Sequence, residues 1–296
     1  MGQLGIYVER YTISSSEEMN ALMRLSQVAR KLGHRVDFLF RADMYKIPEY
    51  DALYIRALTD PLNSAYVAAR TAEMHNVKVI DDPDSIRICC DKVNMYEHLI
   101  THDVPIPDTR VIGREEITVE KAKELFAILG KPIILKAPNS SFSRYVEKAS
   151  TVDEFVKVAK RFVRRADRIV AQRFVKSAFD WRVGILNDEV LYVCQYTIPK
   201  KHWKILTHLS DGRTVDGPVK GIPIDKAPEG LLECALKATG SIGTGLYGVD
   251  LKQTDNGFIV IEVNDNPTIN AGEEDQVNSD LYERLIRYLL DINNEK

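Results

Sequence analysis

Near the C-terminal end, residues 246–252 (LYGVDLK) and 257–264 (GFIVIEVN) form two apolar stretches joined across QTDNG, whose Asn256-Gly257 pair favours a tight return. A chain with this pattern is expected to build an antiparallel hairpin there. With Lys252 opposite Phe258, Asp250 lies opposite Val260 and diagonal to Glu262, and period two puts Asn264 on the same face. Two carboxylates and an amide, without His or Cys, are hard oxygen donors that suit Mg²⁺ or Mn²⁺ and leave room for phosphate oxygens and water. Exposed polar positions on a half-solvated strand would use the same residue types. Glu262 argues for the metal, because it interrupts the apolar run FIVIEV and a buried charge needs a partner.

The 296 residues suffice for two domains, each with its own core. Hydrophobic content of 45% with 28% charge is that of an ordinary globular protein. A net charge of -3 gives no reason to expect nucleic acid or a membrane surface as the main partner. Lys157, Lys160, Arg161, Arg164, Arg165 and Arg168 spread positive charge along a helix, either as a solvated face or for an acidic partner or substrate tail. Cys89, Cys90, Cys194 and Cys234 have neither metal-ligand spacing nor a disulfide framework, so reduced thiols in the cytoplasm are expected. No apolar run approaches the roughly 18 residues that span a bilayer, and the N-terminus lacks a charged start followed by a long apolar core. The expectation is a protein neither exported nor membrane-embedded.

Over the first 90 residues apolar runs alternate with amphipathic stretches: LGIYVE, a helix over about 16–32, RVDFLF, YDALYIR, a helix over 63–75, and VKVIDD. That order predicts a small βαβ-type domain with a mostly parallel sheet. Ser14, Ser15 and Ser16 offer an N-cap to the first helix, Glu17 and Glu18 suit its positive end, and Gly33 marks its stop. From Cys89 onward the pattern becomes α+β, with helices over 92–101, 119–129, 152–165, 229–241 and 279–292. Strands are expected at PIILKA, RIVAQRFV, WRVGIL and VLYVCQYTI, and an irregular polar stretch over about 200–228.

Lys136 closes the apolar strand PIILK and precedes a polar turn, NSSFSR, whose backbone N–H groups could cradle phosphate oxygens. Lys92 and Arg182 are further candidate phosphate contacts. Gly243, Gly245 and Gly248 satisfy the three-glycine dinucleotide pattern literally, but they leave a helix and enter a strand, the reverse of that motif's setting. There is no Gly-Lys-Ser/Thr phosphate loop, paired-His metalloprotease helix or serine elbow.

The stretches DKVNMYEHLITHDVPIPDT, KPIILKAPNSSFSRYV, VAQRFVKSAFDWRVGIL, HWKI and LYGVDLK with IVIEVNDNPTINAGEED resemble, in content and order, the ATP-grasp superfamily. Within it they are most similar to the group related to ribosomal-protein glutamate ligases, called RimK-like. The resemblance implies an α/β N-terminal domain (1–88) followed by an ATP-grasp fold (89–296), whose α+β subdomains, about 89–174 and 175–296, hold nucleotide between them. Carried onto this chain, it implies phosphate contacts from Lys92, Lys136 and the loop residues Ser140, Ser141 and Ser143. Adenine would meet the backbone of Gln172, Arg173, Phe174 and Val175, and ribose would meet Asp180. Arg182 and Lys204 would face the phosphates and the acyl phosphate, while Asp250, Glu262 and Asn264 would hold two Mg²⁺. Two departures stand out: Arg173 where the adenine segment usually has Glu, and Tyr145 where the phosphate loop often has Gly.

The activity implied is an ATP-dependent ligase that joins a carboxylate to an amine through an acyl phosphate, releasing ADP and phosphate. Phosphoryl transfer asks mainly for positioning and charge neutralisation, which accounts for the lack of a nucleophilic triad. Glutamate as a substrate follows from the resemblance alone, and a homo-oligomer is open. Alternatives on the same fold are an inactive nucleotide-binding regulatory or partner-binding module, and a phosphotransferase or thiol ligase.

Overall fold

A computed structural model of the chain describes residues 1–139, 145–200, 202–208 and 214–291. Strands Gln3–Val8, Arg35–Leu39, Ala52–Arg56 and Lys78–Ile80 form a parallel sheet in the order 35–39, 3–8, 52–56, 78–80, as the alternating pattern predicts. Helix Ser16–Lys31 begins where the Ser15 side chain accepts from the Glu18 N–H at 3.3 Å, carries Glu17 and Glu18 in its first turn, and stops before Gly33 at φ +83°. Helix Ser64–Met74 begins likewise on the Asn63 side chain.

The described residues of the rest of the chain build two larger antiparallel sheets and a two-stranded pair. Strands Thr109–Gly113, Arg168–Arg173, Ile133–Lys136 and Val146–Ala149 lie in that order across the first. Helices Val119–Leu129 and Val152–Phe162 cover it, packing Leu125, Phe155 and Phe162 into its core. In the second sheet Val219–Ile222, Glu189–Thr197, Phe179–Leu186, Leu246–Thr254 and Gly257–Asn264 are neighbours in that order. Helices Lys92–Thr101 and Glu229–Gly240 seal it through Val93, Tyr96, Leu231 and Ala235. Leu206–His208 and Thr214–Asp216 form a separate pair.

The last helix, Leu281–Leu289, returns to the first sheet, where Leu281, Leu285, Ile286 and Leu289 share a core with Leu4, Ile6 and Leu25. It is shorter than the expected 279–292, and the helix expected over 152–165 ends at Phe162. Helix Pro83–Cys90, capped by Asp82, and strands Thr109–Gly113 and Val146–Ala149 have no counterpart in the sequence expectation. The stretch 200–228 was expected to be irregular, yet it holds three short strands. Strands this short are set by their pairing partners rather than by their own periodicity. Among the described residues no helix is long and apolar enough to cross a membrane, and all four cysteines are free.

Candidate active site

The hairpin forms in a different register from the expected one. Thr254 pairs with Gly257, so Asp255 and Asn256 make the turn, and Gly257 takes φ +115°, which an L side chain tolerates poorly. Leu251 pairs with Val260 but Asp250 pairs with Glu262, leaving Ile261 as the extra residue of a bulge. Asp250 and Glu262 are therefore directly opposite rather than diagonal. Asn264 lies opposite Gly248 and donates from Nδ2 to the Gly248 carbonyl at 3.1 Å and to Asp250 Oδ2 at 3.3 Å. The bulge also frees the Ile261 carbonyl to accept from Tyr96 Oη and, at 3.4 Å, from Lys136 Nζ.

Four cations from separate segments lie at or near these acids. Lys92, at the start of its helix, donates to Glu262 Oε1 at 2.6 Å. Arg182 grips Asp250 with Nε to Oδ1 at 2.7 Å and Nη2 to Oδ2 at 2.8 Å, and stacks on Tyr196. Lys136 contacts Tyr96, and Lys204 donates to the Val146 carbonyl at 3.1 Å. Burial pushes the Lys136 ammonium down to about 8, although Glu262, Asp250 and Asp180 pull the other way. Burial likewise lowers Lys204, against a smaller upward pull from Glu147. Burial raises the Glu262 carboxyl, but Lys92, then Lys136, outweigh it and hold the group below its ordinary range. Burial wins at Asp250, which stays raised despite Arg182.

Two cavities open on this cluster. One, of about 100 Å³, is lined by Lys136, residues 172–175, Asp180, Trp203, Lys204 and Lys252. The other, of about 450 Å³, is lined by Lys92, Arg182, Asn264, residues of the N-terminal sheet such as Arg56 and Thr59, and the segment 265–274. Both include Asp250, Glu262 and Ile205. Of the residues singled out from sequence, Lys92, Lys136, Gln172, Arg173, Phe174, Val175, Asp180, Arg182, Lys204, Asp250, Glu262 and Asn264 thus converge. Ser140, Ser141 and Ser143 lie outside the described residues.

Individual side chains qualify the expectations. Gln172 turns inward, donating to Thr109 Oγ1 at 2.9 Å and accepting from Tyr96 Oη at 3.3 Å. The Arg173 side chain points away, to Asp108 Oδ2 at 2.8 Å and the Ile128 carbonyl at 2.9 Å. Tyr145 sits at φ +51°, the backbone region that makes Gly usual there, and its ring packs on Phe162 and beneath Arg165. It therefore belongs to the neighbouring core and does not line either cavity.

Two site features escaped sequence reasoning. Lys252 donates to Asp180 Oδ1 and Ser177 Oγ; period two from Asp250 along one strand would have flagged it. Arg56, 3% exposed, holds Glu18 Oε1 from Nε at 3.1 Å and from Nη2 at 2.7 Å, and also reaches Asn266 and the Pro267 carbonyl. Like Lys136, it closes an apolar strand. The Pro267 turn approaches Gly248 so closely that a Cβ there would lie 2.7 Å from Pro267 Cβ.

The donor set fits Mg²⁺. Among the described residues no cluster of three or more His, Cys, Asp or Glu is placed to hold a metal. Two adjacent carboxylates and an amide suit instead an ion that completes its shell with phosphate oxygens and water. Asp250 and Glu262 are each held by a protein cation that such an ion would relieve.

Residues 89–289 match the family model for the RimK-like ATP-grasp domain. The chain belongs to that family. It is 27% identical over 257 residues to the alpha-aminoadipate–LysW ligase LysX of Saccharolobus solfataricus, covering 82% of this chain and 87% of that one. It is also 27% identical to the tetrahydromethanopterin:alpha-L-glutamate ligase of Methanocaldococcus jannaschii, covering 87% and 86%. The fold matches that of the ATP-grasp ligase PsnB, solved with a phosphomimetic precursor variant, Mg and ADP, with a TM-score of 0.67 at 14% identity, covering 97% of both chains. The RimK-like chain thus has the ATP-grasp architecture expected from its sequence.

Proposed function

We propose that this RimK-like enzyme binds ATP in the smaller cavity and its carboxylate and amine substrates in the larger one, with reaction where the two meet. The enzyme is an ATP-dependent carboxylate–amine ligase that uses Mg²⁺. The observation carrying the spatial assignment is that Asp250 and Glu262 line both cavities, so the terminal phosphate of a nucleotide on one side can face an acceptor on the other.

In this reading residues 172–175 offer backbone groups to adenine and Asp180 accepts from ribose. Lys136 and Lys92 neutralise the phosphates, joined by Ser140, Ser141 and Ser143 of the loop. Asp250, Glu262 and Asn264 hold Mg²⁺, with two ions or Mn²⁺ as the finer expectation; the metal supplies charge neutralisation across the phosphates. Arg182, released from Asp250, and Lys204 stabilise negative charge on the transferring group and the acyl phosphate. The substrate carboxylate oxygen attacks the γ-phosphorus as the bond to ADP breaks. The amine nitrogen then attacks the acyl carbon, and phosphate leaves. The names of the relatives make glutamate the first substrate to try. We also propose the division at about residue 88 and, from the free thiols, a cytoplasmic setting.

Isothermal titration of ATP with and without Mg²⁺, on the native chain and on Glu262→Gln, tests the proposal. Magnesium-dependent binding that the substitution weakens is expected. A chain that binds no nucleotide under either condition would refute it.

A further inference from the structure

Arg182 sits in the middle of a row that crosses three adjacent strands of the second sheet. On one side it pairs with Asp250. On the other it lies opposite Cys194, so period two along the Glu189–Thr197 strand sets Tyr196 diagonal to it on the same face. The guanidinium is 4.8 Å from the centre of the Tyr196 ring. Asp250, Arg182, Tyr196 and Glu274 all line the larger cavity.

Tyr196 is itself held at its far end. Its hydroxyl donates to Glu274 Oε1, and the Asn270 backbone N–H donates to Glu274 Oε2 at 2.7 Å, so both carboxylate oxygens are occupied and the ring is fixed from its hydroxyl end. Glu274 is 1% exposed. Burial keeps its carboxyl above the ordinary range, while the Tyr196 hydroxyl, the Asn270 N–H and the Arg182 charge draw it down. An aromatic face attracts a cation most where water is excluded, and here a carboxylate stands at the hydroxyl end of the same ring.

The arrangement bears on the metal. Asp250 is both a proposed Mg²⁺ ligand and the carboxylate that Arg182 grips, and the two roles use the same oxygens. A guanidinium that loses Asp250 at 13% exposure needs another partner nearby, or it is driven out to water.

We infer that Tyr196, anchored by Glu274, is a positioning residue that keeps the Arg182 guanidinium in the cavity, available to the phosphoryl group, once Mg²⁺ takes Asp250. The inference rests on the metal-binding role proposed above for Asp250. Tyr196 acts in it through Arg182 alone.

Calorimetric titration of the full chain with the non-hydrolysable ATP analogue AMP-PNP, with and without Mg²⁺, reads this exchange without a turnover substrate. Tyr196→Leu is expected to cut the gain in affinity that Mg²⁺ confers about tenfold and to leave binding without Mg²⁺ unchanged, because only the metal-loaded site has to relocate Arg182. Tyr196→Phe keeps the ring but not the anchor and should fall between. In an Arg182→Met background, Tyr196→Leu should no longer alter the Mg²⁺ gain. A crystal structure of the native chain with Mg²⁺ and AMP-PNP gives a reading that needs no variant: Arg182 should be off Asp250 and still against the Tyr196 ring. The inference is overturned if Arg182 remains on Asp250 or turns away from the ring in that structure. It is also overturned if Tyr196→Leu weakens the analogue equally with and without Mg²⁺, or if its effect on the Mg²⁺ gain persists after Arg182→Met. A native chain that binds no AMP-PNP would instead overturn the ligase reading, and this inference with it.

Discussion

Arg182 and Asp250 are joined by two parallel hydrogen bonds while their side chains are 13% and 11% exposed, so each directly neutralises the other in a nearly dry site. Asp250→Asn should leave the guanidinium buried without its partner and lower stability by about 3 kcal/mol. Adding Arg182→Met should restore most of that stability but not ADP release. Urea unfolding of the single and double variants is the check, and a double variant no more stable than the single one would separate the effect of Asp250 from Arg182.

Lys136 titrates near 8 in the folded chain, with burial as the first cause, against about 10.4 for an unperturbed lysine. Between those values the unfolded state binds more protons, so stability rises with pH across that window, and below it the buried charge weakens the fold. Lys136→Met should therefore stabilise the chain by about 2 kcal/mol at neutral pH while ATP binding falls at least about tenfold. Thermal unfolding on either side of the window should show the gap between native chain and variant closing as pH rises.

Lys252 and Ser177 both donate to Asp180 Oδ1, which leaves Oδ2 for a ligand hydroxyl. Lys252→Met is expected to raise the KM for ATP about tenfold and to change that for 2′-deoxy-ATP far less. Steady-state ADP release with both nucleotides distinguishes this from a packing role, in which both would suffer equally.

Trp203 meets the Phe174 ring edge-on at 6.1 Å, with Lys148 Nζ 5.3 Å from Phe174 and 5.6 Å from Trp203. The three residues come from different segments, and Phe174 and Trp203 line the smaller cavity. In a Trp181→Phe background, which leaves Trp203 as the sole tryptophan, ATP-analogue binding should shift the emission. Trp203→Ala should weaken the analogue by about fivefold. Emission that ignores the analogue would place Trp203 outside the binding event.

Local signals carried the elements that the sequence made legible. Helices Lys92–Thr101 and Val119–Leu129 have the predicted bounds because a capping side chain, Asp91 or Thr118, and a stop are all close in the chain. The hairpin and its three oxygen-bearing residues were readable for the same reason: turn chemistry and period two act between near neighbours. The family resemblance supplied the grouping of distant residues such as Lys92 and Lys136 that periodicity alone could not.

The sequence by itself thus determined the longer helices, the hairpin and the chemistry of its donors. Tertiary structure alone decided that the Ile261 bulge puts Asp250 opposite Glu262, that Arg173 turns outward to Asp108, and that Arg56 ties Glu18 to the turn at Pro267. The physical reason is that a buried charge takes the best partner that packing brings within reach, and for Lys92 and Glu262 that partner is 170 positions away.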